Sequence, residues 1–212
     1  MKSTTKVLLL ILAIYSVALI AVELMTSQDH VRHYFTDIEG PVRFYAVNTS
    51  LSVFLLWATA LLFAVCLLCV NNQDGERRLW WFFVSQVAVF AYLGLDDRFK
   101  LHESFAWRLG IGDHYVLFVV ALAECFFLLA LGRREVLTGR SGRLLLAAAV
   151  LFGVMIFFDA VAPHDMVLRL TLEDLAKTWA NVFFFAFAWH LCCQQIERLK
   201  GLGHTHFAET PA

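Results

Sequence analysis

The sequence predicts an all-α protein, a polytopic membrane helix bundle with six transmembrane helices and both termini cytoplasmic. Three observations predict it. Of 212 residues, 60% are hydrophobic, 17% are charged and 20 are Phe, and mean hydropathy is +0.68; a soluble domain is about half apolar and about a quarter charged. Six stretches are long and apolar enough to cross the ~30 Å hydrocarbon core of a bilayer. Lys and Arg are also divided unequally among the segments that join those stretches. The formal net charge is −1, so no overall basicity points to nucleic acid. The composition also excludes a disordered chain, a collagen and a disulfide scaffold.

Taken in order, the six stretches are 7–25, 47–70, 79–95, 115–132, 144–162 and 175–195. Leu, Phe, Ala and Val dominate them, and all three prolines lie outside them. The first follows Lys2 and Lys6 as the apolar run of a signal peptide would, but no A-x-A precedes a polar start. It therefore reads as a retained helix. The polar segments 26–46 and 96–114 are too short to be domains and read as connections, which leaves one integral membrane domain over residues 1–212.

With the N-terminus inside, the inner segments hold Lys2, Lys6, Arg77, Arg78, Arg133, Arg134, Arg140, Arg143, Arg198 and Lys200 against five acids. The outer segments hold seven basic residues against ten acids, and Glu23, Glu124 and Asp159 lie within spans. This asymmetry predicts a multi-pass protein of the cell inner (plasma) membrane with cytoplasmic termini. The five cysteines lie within spans, four of them towards inner ends. Cys66-x-x-Cys69 and Cys192-Cys193 read as buried small hydrophobes rather than as ligands or disulfides.

Five of eight histidines fall in outer segments beside most of the carboxylates. Three stretches stand out: LDDRFKLHE at 95–103, GIGDH at 110–114, and PHD followed by LEDLAK within 163–177. Imidazole and carboxylate together suit a divalent metal such as Zn²⁺, and they also supply general acids and bases. His102, Asp97, Glu173 and His164 are the candidate metal ligands. Asp97, Glu103 and Lys177 are the candidate catalytic groups, with Lys177 available to hold an anionic moiety.

Structural readings stand beside these. Asp96, Lys100 and Glu103 are spaced to pair on one helical face. Thr171 with Asp174 resembles a capping box, and Asp113 an N-cap after Gly110 and Gly112. Asp97 and His102 have no local partner, and a salt bridge from Lys177 to Asp97 or Glu173 weighs equally with a substrate-binding role. His30, His33 and Asp37 could share a helical face, although interfacial histidines commonly have no such role. Glu124 lies roughly 14 Å below the outer end of its helix, with no basic residue at matching depth, so it is expected to be protonated and hydrogen-bonded to a neighbouring helix. Asp159 lies one turn inside its span, and both acids are candidates for proton or cation handling. Glu23 admits a structural role as well.

Asp96, Asp97, His102 and Glu103, followed by Glu173 and Asp174, resemble a pattern of uncharacterised bacterial multi-pass membrane proteins, L-D-E-x4-H-E and later E-E. Asp stands for Glu at positions 97 and 174. The acid and histidine rim is also loosely similar to the intramembrane zinc hydrolases that include alkaline ceramidases, and that resemblance implies zinc and a lipid substrate. Their paired His-x3-His is missing here. The Glu-Glu-x3-Arg motif of CAAX-type intramembrane proteases is not met, since Thr178 stands at the Arg position.

Three functions follow as expectations. The first is a divalent-metal site at the outer rim that hydrolyses or transfers groups on a lipid or lipid-linked substrate. The second is an ion- or proton-coupled transporter using Glu124 and Asp159, although no internal repeat accompanies it. The third is a structural or assembly subunit without catalysis.

Overall fold

The structure is a computed structural model that describes residues 2–35, 42, 44, 46–70, 76–132, 134–163 and 166–208. Among the described residues it is all-helical. The elements are α1 (Lys2–Met25), α2 (Gln28–Phe35), α3 (Val47–Leu68), α4 (Arg77–Phe99), α5 (Leu101–Leu109), α6 (Asp113–Leu131), α7 (Arg134–Leu137), α8 (Gly139–Ala160) and α9 (Arg169–Ala208). Four helices are long and apolar enough to cross a membrane: α3, α4, α6 and α8. In α1 the apolar part runs over Leu9–Met25, and α9 carries charged residues at both ends. The two segments expected as plain connections each contain a short helix, α2 and α5.

Packing is concentrated on α9, which is buried on several faces between α3 and α8 and touches α1 and α2. The core is aromatic: Phe63, Phe82, Phe83, Phe90 and Phe187 are all at most 1% exposed. Phe63 lies at their centre, with ring centroids 5.6 Å from Phe90 and 6.0 Å from Phe187, a spacing at which aromatic pairs attract beyond simple burial. Cys66 and Cys192 pack into the same core as free thiols.

The peripheral helices bury only narrow stripes. On α8 the buried residues are Ser141, Ala148 and Met155, seven residues apart and therefore on one face. On α6 only Leu117 is buried among the described residues, while Phe118, Val119, Leu122, Phe126 and Leu129 are exposed. Apolar side chains pointing outward at this density suit lipid rather than water.

Polar side chains inside the bundle pair across helices, as a low-dielectric interior requires. Asn48 accepts from Thr178 at 2.9 Å, Asn181 donates to Ser52 at 2.7 Å and Trp179 donates to Ser16 at 2.8 Å. Glu23, 5% exposed, reaches from α1 to the beginning of α9. There it accepts the Leu168 backbone N–H at 2.8 Å and the Thr171 hydroxyl. The capping box expected from Thr171 and Asp174 is therefore replaced by a cap from another helix. At α6 the cap is Gly112, and Asp113 is the first helical residue.

Glu23→Ala should lower stability by about 1–3 kcal/mol, the cost of leaving a buried donor unsatisfied, whereas Glu23→Gln, which keeps one acceptor, should lose less. Thermal unfolding in detergent measures both, and two equal, small losses would remove Glu23 as the cap.

Candidate functional site

The end of the bundle where α4 stops and α9 starts is built by a chain reversal without glycine. Lys100 adopts a left-handed conformation (φ 52°, ψ 46°) and closes α4 by donating its N–H to the Asp96 carbonyl at 2.7 Å. α5 then leaves in a new direction. Asp96, 3% exposed, accepts the His102 backbone N–H through Oδ1 at 2.6 Å. Its Oδ2 lies 2.8 Å from His102 Nδ1. One carboxylate thus caps a helix and orients an imidazole. With Nδ1–H donated to Asp96, Nε2 carries the ring's lone pair, as in an oriented general base. The expected Asp96–Lys100–Glu103 face does not form because the helix breaks at Lys100. Lys100 pairs instead with Glu103 at 3.0 Å on the exposed surface, with side chains 63% and 46% exposed, where an ion pair contributes little.

Asp97 points the other way, into the bundle. Lys177, two turns into α9, lies 3.0 Å from Asp97 Oδ1 and 2.9 Å from Asp174 Oδ1. The expected pairing of Asp97 with Lys177 forms, and Asp174 joins it. The other oxygen of Asp97, Oδ2, is buried without a hydrogen-bond partner.

Arg169 organises the third corner. Its guanidinium donates to the backbone carbonyls of Phe158 and Asp159 at 3.1 and 3.0 Å, satisfying the C-terminus of α8. It also lies 3.9 Å from the Asp159 carboxylate and 3.6 Å from that of Glu173. Asp159 stands in the last turn of α8, near the helix end as expected, and belongs to this rim. Glu124 lies apart, on α6, where it meets Gln86.

Except for Arg169 and Glu124, these groups face one cavity of about 390 Å³ bounded by residues of α2 through α6, α8 and α9. Asp96, Asp97, His102, Glu103, Asp159, Glu173, Asp174 and Lys177 line its polar part, and Leu56, Leu117, Phe152 and Met155 its apolar part. Of the candidate residues, Asp97, His102, Glu103, Glu173, Lys177 and Asp159 are gathered there. His164 lies outside the described residues, as does Asp37 from the His30 and His33 group. Among the described residues, no three His, Cys, Asp or Glu side chains converge closely enough to hold a metal ion. Lys177 and Arg169 occupy carboxylate oxygens that a metal would require, and among the described residues Asp97 Oδ2 is the one buried carboxylate oxygen of this cavity that accepts nothing.

Sequence reasoning missed Arg169 and the pairing of Asp96 with His102. A basic residue shortly before the expected sixth span, at position 169, marked the first. The second spans six residues across a reversal that carries no Gly or Pro signal.

Glu173 precedes the apolar stretch of α9. Burial pushes its carboxyl up from 4.5 to about 7, with Asp174 and Asp159 adding to the rise while Arg169 and Lys177 oppose it. The guanidinium at 3.6 Å is beyond hydrogen-bond length, so burial wins. A carboxyl that holds its proton more tightly when folded contributes stability at low pH and loses it as pH rises. Wild type should therefore lose stability between pH 4.5 and about 7, and Glu173→Gln should lose less over the same interval. Parallel thermal midpoints across that range would show that Glu173 does not titrate there.

No curated protein and no solved structure matches the chain. Residues 6–191 match the family described as a domain of unknown function, DUF8692, and the chain belongs to that family.

Proposed function

We propose that the protein is an inner-membrane enzyme that hydrolyses, or transfers a group on, a lipid or lipid-linked substrate at the outer membrane–water rim. The observation that carries this reading is the joining of a His102–Asp96 pair, an ion-paired Lys177 and an apolar floor in one cavity. An amphiphile has the matching shape, with a polar head among the charged groups and an apolar chain along Leu117, Phe152 and Met155. In this reading His102 takes a proton from the attacking hydroxyl or water and later returns it to the leaving group. Asp96 positions the ring and stabilises the imidazolium. Lys177, saturated by two carboxylates, fixes Asp97 rather than gripping an anion.

Each of the six apolar stretches coincides with one helix to within two residues at its end, and α1, α6 and α8 turn exposed apolar side chains outward. Both support six spans. The excess of Lys and Arg in the inner segments supports cytoplasmic termini, which sets the cavity on the outer face.

A second reading keeps a divalent metal, zinc included, as cofactor. It is favoured by the unpartnered Asp97 Oδ2 and by an excess of carboxylates over cations around the cavity. Asp97 with Glu173, His102 or His164 would hold the ion.

Spheroplasts expose only the outer face, so they should turn over added, membrane-impermeant fluorescent phospholipid or sphingolipid, and inverted vesicles should not. His102→Ala should reduce the rate by about 10²–10⁴-fold, the usual worth of a general base. Stoichiometric metal in the purified protein, lost in Asp97→Asn, would favour the metal-dependent version. Turnover unaffected by His102→Ala, or found only in inverted vesicles, would defeat the proposal, and ion flux in liposomes without turnover would favour a carrier.

A further inference from the structure

Away from the cavity, α4 and α6 meet through two polar side chains. Gln86 is 0% exposed, and its amide Nε2 donates to Glu124 Oε2 at 3.2 Å. The remaining polar atom of each side chain, Gln86 Oε1 and Glu124 Oε1, is buried and has no hydrogen-bond partner. An ionised Glu124 leaves both as acceptors only, and two acceptors cannot satisfy one another. A hydrogen placed on Glu124 Oε1 supplies the missing donor. Such an acid would donate to Gln86 Oε1 while accepting from Gln86 Nε2, in an eight-membered acid–amide ring. Flipping the Gln86 amide reaches an equivalent ring.

We propose that Glu124 and Gln86 form an intramembrane proton-binding site in which one proton satisfies both orphaned oxygens and fastens α6 to α4.

Among the described residues, no competing cation stands nearby. The elements packed against α6 are α4, α5 and α8. On α4, Arg78 is about 12 Å along the helix from Gln86 and donates to the Gly132 carbonyl, and Asp96 is about 15 Å away in the other direction. The charges of α5, such as Glu103 and Arg108, lie at the rim. Those of α8 lie at its two ends, Arg140 and Arg143 at one and Asp159 at the other. Two oxygens are also far too few for a metal such as calcium, which takes six to eight. A single proton is the smallest ligand that completes the pair.

The location gives the site a consequence. Leu117, which lines the cavity, is seven residues before Glu124 and so lies on the same face of α6, two turns away. Beyond that pair and the Arg78 bond to Gly132, α6 offers little buried surface, with only 6% of its apolar window buried. Loss of the proton would set a carboxylate against an amide oxygen and weaken the hold on this wall of the cavity.

Infrared spectroscopy of the full-length protein in bilayers tests the assignment. At pH 7 wild type should show a protonated-carboxyl band that Glu124→Gln removes and that Gln86→Leu shifts to higher frequency, because the acid loses its partner. Glu124→Gln should melt with wild type, since two amides rebuild the ring, and Glu124→Leu should melt lower. If Glu124→Leu fails to fold, the comparison of Glu124→Gln with Gln86→Leu still decides. A carboxylate band at pH 7 that disappears in Glu124→Gln would overturn the proposal. So would a band that responds to sodium at constant pH, which would make the ligand a metal cation.

Discussion

Lys177 lies two turns into α9 with its side chain turned into the bundle, and its ammonium must be partnered there. Breaking a buried pair by removing one member costs about 3–5 kcal/mol, so a lysine at this position constrains its surroundings. Asp174 satisfies it from one turn earlier on the same helix, and Asp97 from the last two turns of α4. The second contact is the one with structural reach. It fixes the end of α4 against α9, and thereby the reversal at Lys100, the start of α5 and the placement of His102 beside Asp96. Arg169 makes a parallel connection, tying the last carbonyls of α8 to the first turn of α9. Two cations on α9 therefore gather the ends of three helices around one cavity.

The same helix carries the polar ladder of the interior. Thr171, Thr178, Trp179 and Asn181 all meet partners on α1 or α3. Between lipid-like surfaces the hydrophobic effect does not distinguish a helix neighbour from a lipid tail, so packing and hydrogen bonds decide which helices associate. A central helix with hydroxyl and amide groups on several faces fits that requirement. α6 and α8, with narrow buried stripes, and α1, with its exposed apolar face, are suited to face a bilayer.

Apolar stretches of about 20 residues were legible in the sequence because they need no partner to be recognised. Each of the six expected stretches falls on one helix, three of them running one or two residues past its end, and among the described residues four of these helices meet the length and apolarity for crossing. The pairing of Asp97 with Lys177 was legible for an electrostatic reason: a charge entering an apolar face demands its opposite. Much of the rest depends on distant neutral groups. Glu23 caps α9 from a separation of 145 residues, and nothing in either segment signals the other. Gln86 is the partner foreseen for Glu124 only as an unnamed donor on a neighbouring helix, because an amide in an apolar run carries no charge to match. The break at Lys100 was hidden for a local reason, since a left-handed lysine is uncommon and the usual markers, Gly and Pro, are absent. His102 was visible as an unusual residue, but its orientation by Asp96 depends on that break.

The most direct test of this organisation is a double-mutant cycle on Asp97 and Lys177, read as thermal or denaturant stability of the purified protein. Asp97→Asn, Lys177→Met and the double variant isolate the interaction between α4 and α9 from the effects of either residue alone. The account predicts a coupling of about 1–3 kcal/mol, with the double variant more stable than the two single losses imply. Additivity within about 0.5 kcal/mol would mean that the two groups do not act on each other, and the cavity would lose the contact on which its assembly rests.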